Sequence, residues 1–323
     1  MTTASIDLEP LKNDLARVEE TLQSAVSHED RFLNEVAGHL STAGGKRVRP
    51  TLTLCSVYAA QGSSSCSDEV ITGAVACELV HLGSLHHDDV IDEAETRRGV
   101  PSVNARWSNI VAILSGDYLL ARASSLAASL GADVAALLAD TIGELCRGQI
   151  LELKHLFDVD RSEDSYLSAI DGKTAALFAT ACRVGGMVTR VDEATLDSLT
   201  QFGHHLGMCF QIVDDVLDLT ATKEVLGKPV GQDLVEGIYT LPVIYALQEV
   251  PELRGHLGGP LSGDRLDQVR NLAVTPHALA AARAVATDHA TKAREVLSGA
   301  NNLDPAVVSE LGRFIEQLMN RVN

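Results

Sequence analysis

Residues 78–92 read ELVHLGSLHHDDVID. From Asp68 onward the chain is almost uninterruptedly apolar until the aspartates arrive, and its periodicity is that of one long helix ending near Asp92. Residues four apart share a helix face, so Asp88 and Asp92 project together. Crowded carboxylates repel one another, and the C-terminal end of a helix dipole raises their cost further. A bound cation is the natural compensation. A second copy stands at 210–218, FQIVDDVLD, again closing a strongly apolar helical stretch and pairing Asp214 with Asp218. One such cluster reads most simply as a solvated acidic helix end. Two, each behind an apolar helix and each near basic residues, point to a shared ligand.

Working outward, helical periodicity dominates everything else. Leu8 to Gly44 reads as two amphipathic helices broken near Ser27–Asp30, where Ser-His-Glu-Asp supplies capping chemistry. Gly44–Gly45 ends the second, and Pro50 suits the first turn of a third. Gln61–Ser67 is a polar Gly/Ser turn. Further helical segments are expected at about 105–130, 132–157, 162–172, 173–188, 192–220, 233–249, 264–272, 277–298 and 304–321. No strand-like alternation persists, and no repeat of fixed period is visible. Arg254–Gly263 is the loosest stretch but is loop-sized. The expectation is an all-α chain, one large helical bundle domain over residues 1–323.

Composition narrows the partners. Apolar residues make up 46% and aromatics only 4%, so the core must be built from Ala, Leu, Val and Ile, as in closely packed helices. Against 26 basic residues stand 44 acidic ones, a net charge of −18 that disfavours nucleic acid and anionic membrane as partners. An anionic ligand would need the scarce cations gathered locally, or metal ions. The cysteines are scattered without a C-x-x-C pair, which fits a reducing cytoplasm better than a disulfide framework. The N-terminus lacks the apolar core of a signal peptide, and no uncharged apolar run reaches the ~18 residues of a membrane span.

The cations are indeed gathered. Lys46, Arg47 and Arg49 lie in GGKRVRP behind two glycines, Arg97 and Arg98 follow the first acidic cluster, Lys173 follows Gly172, and Lys228 lies in LGKP. Arginine forks bind phosphate oxygens bidentately and lysine acts as a point charge, so a polyanion is the implied ligand. Oxygen-only carboxylate clusters suit Mg²⁺, which bridges to substrate phosphates while keeping several waters.

In order along the chain, GGKRVRP, ELVHLGSLHHDDVIDEAETRRG, GKTAALF, FQIVDDVLD, LGKPVGQDL and EGIYTLPV resemble the trans-isoprenyl (polyprenyl) diphosphate synthases, over about residues 8–250. The resemblance implies a bundle with a deep central cavity and the two acidic motifs facing across its mouth. It implies that Asp88, Asp92 and Asp214 hold three Mg²⁺ on an allylic diphosphate, farnesyl or geranylgeranyl, with Asp89 and Asp218 as secondary ligands. It assigns Arg97, Lys173 and Lys228 to that diphosphate, and Lys46, Arg49, His81 and Arg98 to isopentenyl diphosphate. Thr174 and Gln211 would line the reacting centre, with Phe210 beneath the isopentenyl group. A homodimer is implied as well. One departure stands out: where the family often carries Lys in EGxxTLP, this chain has Ile238.

Product length follows by the same analogy. Chains are expected to grow down the helix of the first motif, past Ser84, Gly83, Val80, Cys77, Ala76 and Gly73; the facing segment Ala127–Leu130 and the stretch around Ala135–Ala139 are small too. Nothing aromatic blocks this stripe. The expected product is long, around C35 to C50, of the kind used for quinone side chains; a geranylgeranyl or farnesyl synthase is the alternative. A class I terpene cyclase would not need GGKRVRP, and a non-catalytic partner subunit would not keep both acidic motifs.

Overall fold

The computed structural model describes residues 6–222 and 230–322. Its helices are α1 (Leu11–Val26), α2 (Arg31–Thr42), α3 (Val48–Gln61), α4 (Asp68–Ile91), α5 (Val103–Arg106), α6 (Asn109–Leu130), α7 (Ala132–Leu153), α8 (Glu163–Ile170), α9 (Ala176–Val188), α10 (Glu193–Thr220), α11 (Gln232–Glu236), α12 (Leu241–Glu249), α13 (Leu253–His256), α14 (Gly263–Ala273), α15 (Pro276–Gly299) and α16 (Pro305–Met319). The all-α expectation holds. The capping chemistry read near Ser27–Asp30 is real: the Asp30 carboxylate accepts the Leu33 N–H at 2.8 Å, satisfying one of the free donors of the first turn of α2.

Several boundaries differ from the sequence reading. A two-residue hairpin, β1 (Thr96–Arg97) against β2 (Val100–Pro101), turns the chain after the first acidic cluster. The segment expected to run to 157 ends at Leu153, and 233–249 splits into α11 and α12 around Gly237, whose φ of 77° ends α11 in the left-handed region. The loop expected at 254–263 contains α13. α8 and α9 join through a π-helical turn at Asp171–Ala175, a geometry that adds one residue to the turn and is common at functional sites.

α4 and α10 are the central helices. Val70, Ala74, Val75, Leu79, Val80 and Leu82 of α4 are all at most 1% exposed, as expected of a helix apolar on every side. α6, α3, α9 and α1 pack around α4, and α9 and α15 around α10. A smaller core links Leu219, Leu234, Tyr239, Val243 and Val269. By length and composition α6 is long and apolar enough to cross a membrane, though it is not an uncharged apolar run. It nevertheless carries Asp117 and Arg122, and Arg122 Nε donates to the Ala25 carbonyl at 2.8 Å, fastening α6 to α1.

The contact that positions the site is between α7 and the π turn. A Cβ on Gly148 would stand 2.3 Å from the Lys173 backbone nitrogen, and one on Gly172 2.7 Å from the Glu144 carbonyl oxygen. Backbone therefore meets backbone, and Glu152, one turn beyond Gly148, is brought to Lys173. Gly148→Ala must push these elements apart. It is expected to lower stability by roughly 1–3 kcal/mol, the usual cost of overpacking, read from the denaturant midpoint. An unchanged midpoint would contradict the close crossing.

Candidate active site

A cavity of about 610 Å³ opens beside the ends of α4 and α10, lined by Asp92 from the first acidic cluster and Asp215 from the second. Lys173, Glu152, Gln211 and Glu236 are also on its walls. The two motifs thus share one hollow, as expected. Asp88 lines an adjoining cavity of about 260 Å³ between α4 and α7, whose wall also includes Lys173.

Lys173 is the electrostatic centre. Its Nζ lies 2.5 Å from Glu152 Oε1. Burial pushes the ammonium down, but Glu152, Asp88 and Asp92 outweigh it and hold the lysine above its ordinary value. The same burial pushes the Asp88 and Asp92 carboxyls up, with Lys173 and Arg97 pulling the other way. Thr174 Oγ1 donates to Gln211 Oε1 at 2.7 Å, and Gln211 Nε2 donates to Asp215 Oδ1 at 2.7 Å. The pair expected at the reacting centre is therefore joined, and its orientation is fixed from behind.

The second motif is arranged differently from the expectation. Asp215, not assigned from sequence, faces the cavity and accepts the Tyr166 hydroxyl at 2.6 Å. Burial raises its carboxyl pKa. Asp214 does not line this cavity; its Oδ1 accepts Arg321 Nη1 at 3.2 Å. Asp218 is buried, turned toward the 231–233 backbone, where its Oδ2 accepts the Asp233 N–H at 3.2 Å. In the first motif Asp89 turns away to Arg97 Nε, 2.6 Å distant, while Arg97 Nη2 stays 3.8 Å from Asp92 and lines the cavity. Ile238 is also on the wall, so the missing family cation leaves an apolar spot there. Lys228 lies outside the described residues.

The remaining cations surround an acid that the sequence reading passed over. Glu78, 1% exposed on α4, accepts Arg47 Nη1 at 3.0 Å and lies 3.9 Å from Arg98 Nη2. Burial raises its carboxyl pKa against the pull of Arg47, Arg49 and Arg98. Arg98 Nη1 donates to the Gly44 and Leu40 carbonyls; a Cβ on Gly45 would sit 2.9 Å from the Arg98 guanidinium, which is why that glycine is needed. Arg49 is pushed down to about 10 by burial and lies 5.2 Å over the Phe178 ring, its Nε buried without a hydrogen-bond partner. Burial, then the neighbouring arginines, hold His81 well below the ordinary histidine range, so it is a neutral imidazole. An orphaned buried guanidinium donor is costly unless an anion completes it.

The donor set fits Mg²⁺ rather than zinc: carboxylate oxygens alone, several of them under-compensated by cations. Among the described residues no three such groups converge into a cage. That suits an ion that takes most of its ligands from water and a diphosphate. Glu236 supplies a pH test. Burial raises its carboxyl to about 7, Gln232 pulling it down and Asp92 pushing it up. The folded protein therefore retains a proton that the unfolded chain sheds near 4.5, and the stability this contributes is lost as pH rises through about 7. The melting temperature of metal-free protein is expected to decline over that window, and Glu236→Gln to flatten the decline. Superimposable profiles would refute the assignment.

The stripe on α4 that was expected to line a product channel borders a cavity only in part. Ser84 lines the cavity under Asp88, facing Leu145, Cys146, Gln149, Ile150 and Leu153 of α7. Gly83 instead packs on the Gly116 carbonyl and Leu120, and Gly73 on Val184 and Leu130. Val80, Cys77 and Ala76 are sealed in the core. Ala127 is buried, whereas Ala128, Ser129, Ala136 and Ala139 are exposed. The buried ones serve close helix packing, and the open cavity lies between α4 and α7.

A family model described as polyprenyl synthetase matches residues 30–271. Heptaprenyl diphosphate synthase component 2 of Geobacillus stearothermophilus is 47% identical over 240 residues, 74% of this chain and 74% of that protein. Nonaprenyl diphosphate synthase of Mycobacterium tuberculosis is 38% identical over 289 residues, 88% of this chain and 86% of that protein. A crystal structure of polyprenyl synthase from Caulobacter crescentus, complexed with calcium and isoprenyl diphosphate, has a TM-score of 0.90 at 30% identity, covering 99% of each chain.

Proposed function

The chain belongs to the polyprenyl synthetase family, and from that premise we propose that it is a Mg²⁺-dependent synthase whose reaction centre is the cavity between Asp92 and Asp215. It is a prenyltransferase of the long-chain type, making a long-chain polyprenyl diphosphate rather than a geranylgeranyl or farnesyl product. The observation that carries the site is the single hollow walled by both acidic motifs and by Lys173.

Asp88 and Asp92 from α4 and the Asp214–Asp215 pair from α10 would hold the metal, with Asp89 and Asp218 supporting. Magnesium, when bound, supplies charge neutralisation to the departing diphosphate. Lys173 and Arg97 hold the allylic diphosphate, as Lys228 is expected to. Lys46, Arg49, Arg98 and neutral His81 hold isopentenyl diphosphate. The allylic carbon–oxygen bond breaks with its electron pair on the diphosphate, a charge that the fixed cations stabilise. The isopentenyl double bond supplies the pair for the new carbon–carbon bond. A proton leaves, with the departed diphosphate as its acceptor. Thr174, locked to Gln211, borders the reacting carbons, and the apolar path past Ser84 keeps water from the growing chain.

Purified protein incubated with Mg²⁺, labelled isopentenyl diphosphate and farnesyl or geranylgeranyl diphosphate should yield long-chain polyprenols after dephosphorylation. No labelled product from either primer, with magnesium present, would sink the reading. The name of the Geobacillus relative, component 2, raises a second reading in which another chain is required. Turnover by this chain alone excludes it.

The active form is proposed as a homodimer in the cytoplasm, each subunit one continuous synthase domain, feeding a quinone side chain. Support for the dimer comes from α6, where Ile110, Ile113 and Leu114 are 70, 44 and 62% exposed. In a chain of net charge −18, an apolar face is where two copies can meet with least repulsion. Leu114→Glu is expected to convert a dimer to a monomer in sedimentation; an unaltered sedimentation coefficient would place the interface elsewhere.

A further inference from the structure

The π turn that carries Lys173 and Thr174 is fastened to α10 at three levels. At its start, His204 Nε2 lies 2.7 Å from Asp171 Oδ1. At its end, a Cβ on Gly207 would stand 2.7 Å from the Ala175 Cα, so backbone meets backbone there. In between, Thr174 donates to Gln211, one turn of α10 beyond Gly207. α7 closes the other side: Gly148 crosses the turn at the Lys173 nitrogen, and Arg147 Nη2 stands 3.8 Å from Asp171 Oδ2. An ionised carboxylate can only accept, so His204 Nε2 carries the proton and donates. That hydrogen bond, outweighing burial, holds the Asp171 carboxyl below the usual carboxylate range. Neither residue lines the cavity, and their side chains are 37% and 43% exposed. A pair this exposed contributes little to stability. Its value is geometric, because a π turn occurs as a single widened turn and depends on its neighbours for its shape. Lys173 lies between the tethered Asp171 and Thr174, with its Nζ at Glu152 on the cavity wall.

We infer that His204 and Asp171 are positioning residues for the allylic diphosphate: their hydrogen bond latches the first residue of the π turn to α10 and so fixes where the Lys173 ammonium stands. The inference rests on the synthase reading above and adds two residues outside the cavity. With the latch open, Asp171 is left to its longer contact with Arg147, and α10 holds the turn only from Thr174 onward. Lys173 then follows an untethered neighbour, and a cation displaced by about 1 Å loses much of its grip on phosphate oxygens. Isopentenyl diphosphate, held by Lys46, Arg49, Arg98 and His81, keeps its own contacts.

Calorimetry and steady-state kinetics test this together. Unreactive farnesyl thiodiphosphate with Mg²⁺ is titrated into each protein. His204→Ala and Asp171→Ala should each bind it about fivefold more weakly, the scale of one exposed ion-paired hydrogen bond. The double variant should bind no more weakly than either single one, because the same bond is lost in all three. His204→Gln, whose amide can still donate to Asp171, should stay within about twofold of wild type. In the alanine variants the KM for the allylic substrate should rise while that for isopentenyl diphosphate holds. A merely structural pair would lower the melting temperature without separating the two substrates. If His204→Ala melts early, Asp171→Ala decides, since it removes only a short, exposed side chain. Wild-type affinity in both alanine variants, equal shifts in the two KM values, additive losses in the double variant, or a His204→Gln as weak as His204→Ala would each overturn the latch. A wild-type protein that elongates no allylic diphosphate would instead overturn the synthase reading on which it stands.

Discussion

Asp92→Ala is expected to lower kcat/KM by about a thousandfold or more while leaving the fold intact. Asp92 caps the end of α4, is only partly buried and lines the cavity shared with Asp215, so its carboxylate is spent on the site rather than on packing. A metal neutralising a leaving diphosphate contributes several kcal/mol to the barrier, and each ~1.4 kcal/mol is tenfold in rate. Asp89→Asn is the informative companion. Asp89 is wholly buried and bonded to Arg97, so its loss should disturb arginine placement and stability before it disturbs metal affinity. Steady-state rates across a magnesium titration separate the two. An Asp92→Ala enzyme within tenfold of wild type, at saturating magnesium, would remove this residue from the metal site.

Ser84→Phe is expected to shorten the main product by several five-carbon units. Ser84 sits one turn before Asp88 and faces the cavity between α4 and α7. A phenyl ring there would fill a channel of about 260 Å³ close to its head, and each helical turn of lost depth is ~5.4 Å. Gly83→Phe is a poor substitute, because Gly83 already meets the Gly116 carbonyl and would disrupt α4–α6 packing instead. Chromatography of the extracted prenols reads the outcome. An unchanged length distribution would mean that the chain descends along another path.

The first acidic cluster, the basic segments and the helical class were all legible because each depends on local spacing. Thr174 and Gln211, both placed at the reacting centre by the resemblance, are hydrogen-bonded to each other, and only the resemblance could group residues so far apart. Glu78 was missed since a lone acid in an apolar helix carries no periodic mark; its meaning comes from Arg47 and Arg98 arriving from elsewhere. Glu152 and Tyr166 were missed for the same reason. The small residues of α4 were misread as one continuous tunnel wall. Smallness permits either a void or a close helix crossing, and the sequence of one helix does not say which neighbour comes near.

What the sequence carried by itself was the chemistry: which residue types gather, at what spacing, and hence the proposal of a polyanion held through oxygen-bound metal. What tertiary structure alone decided was direction. Asp214 and Asp215 are identical neighbours on a helix buried nearly all round, so no periodicity tells them apart. Tyr166 and Gln211 draw one into the cavity, and Arg321, more than a hundred residues away, holds the other aside. A hydrogen bond needs its partner within ~3 Å, and that proximity is settled only when the whole bundle has packed.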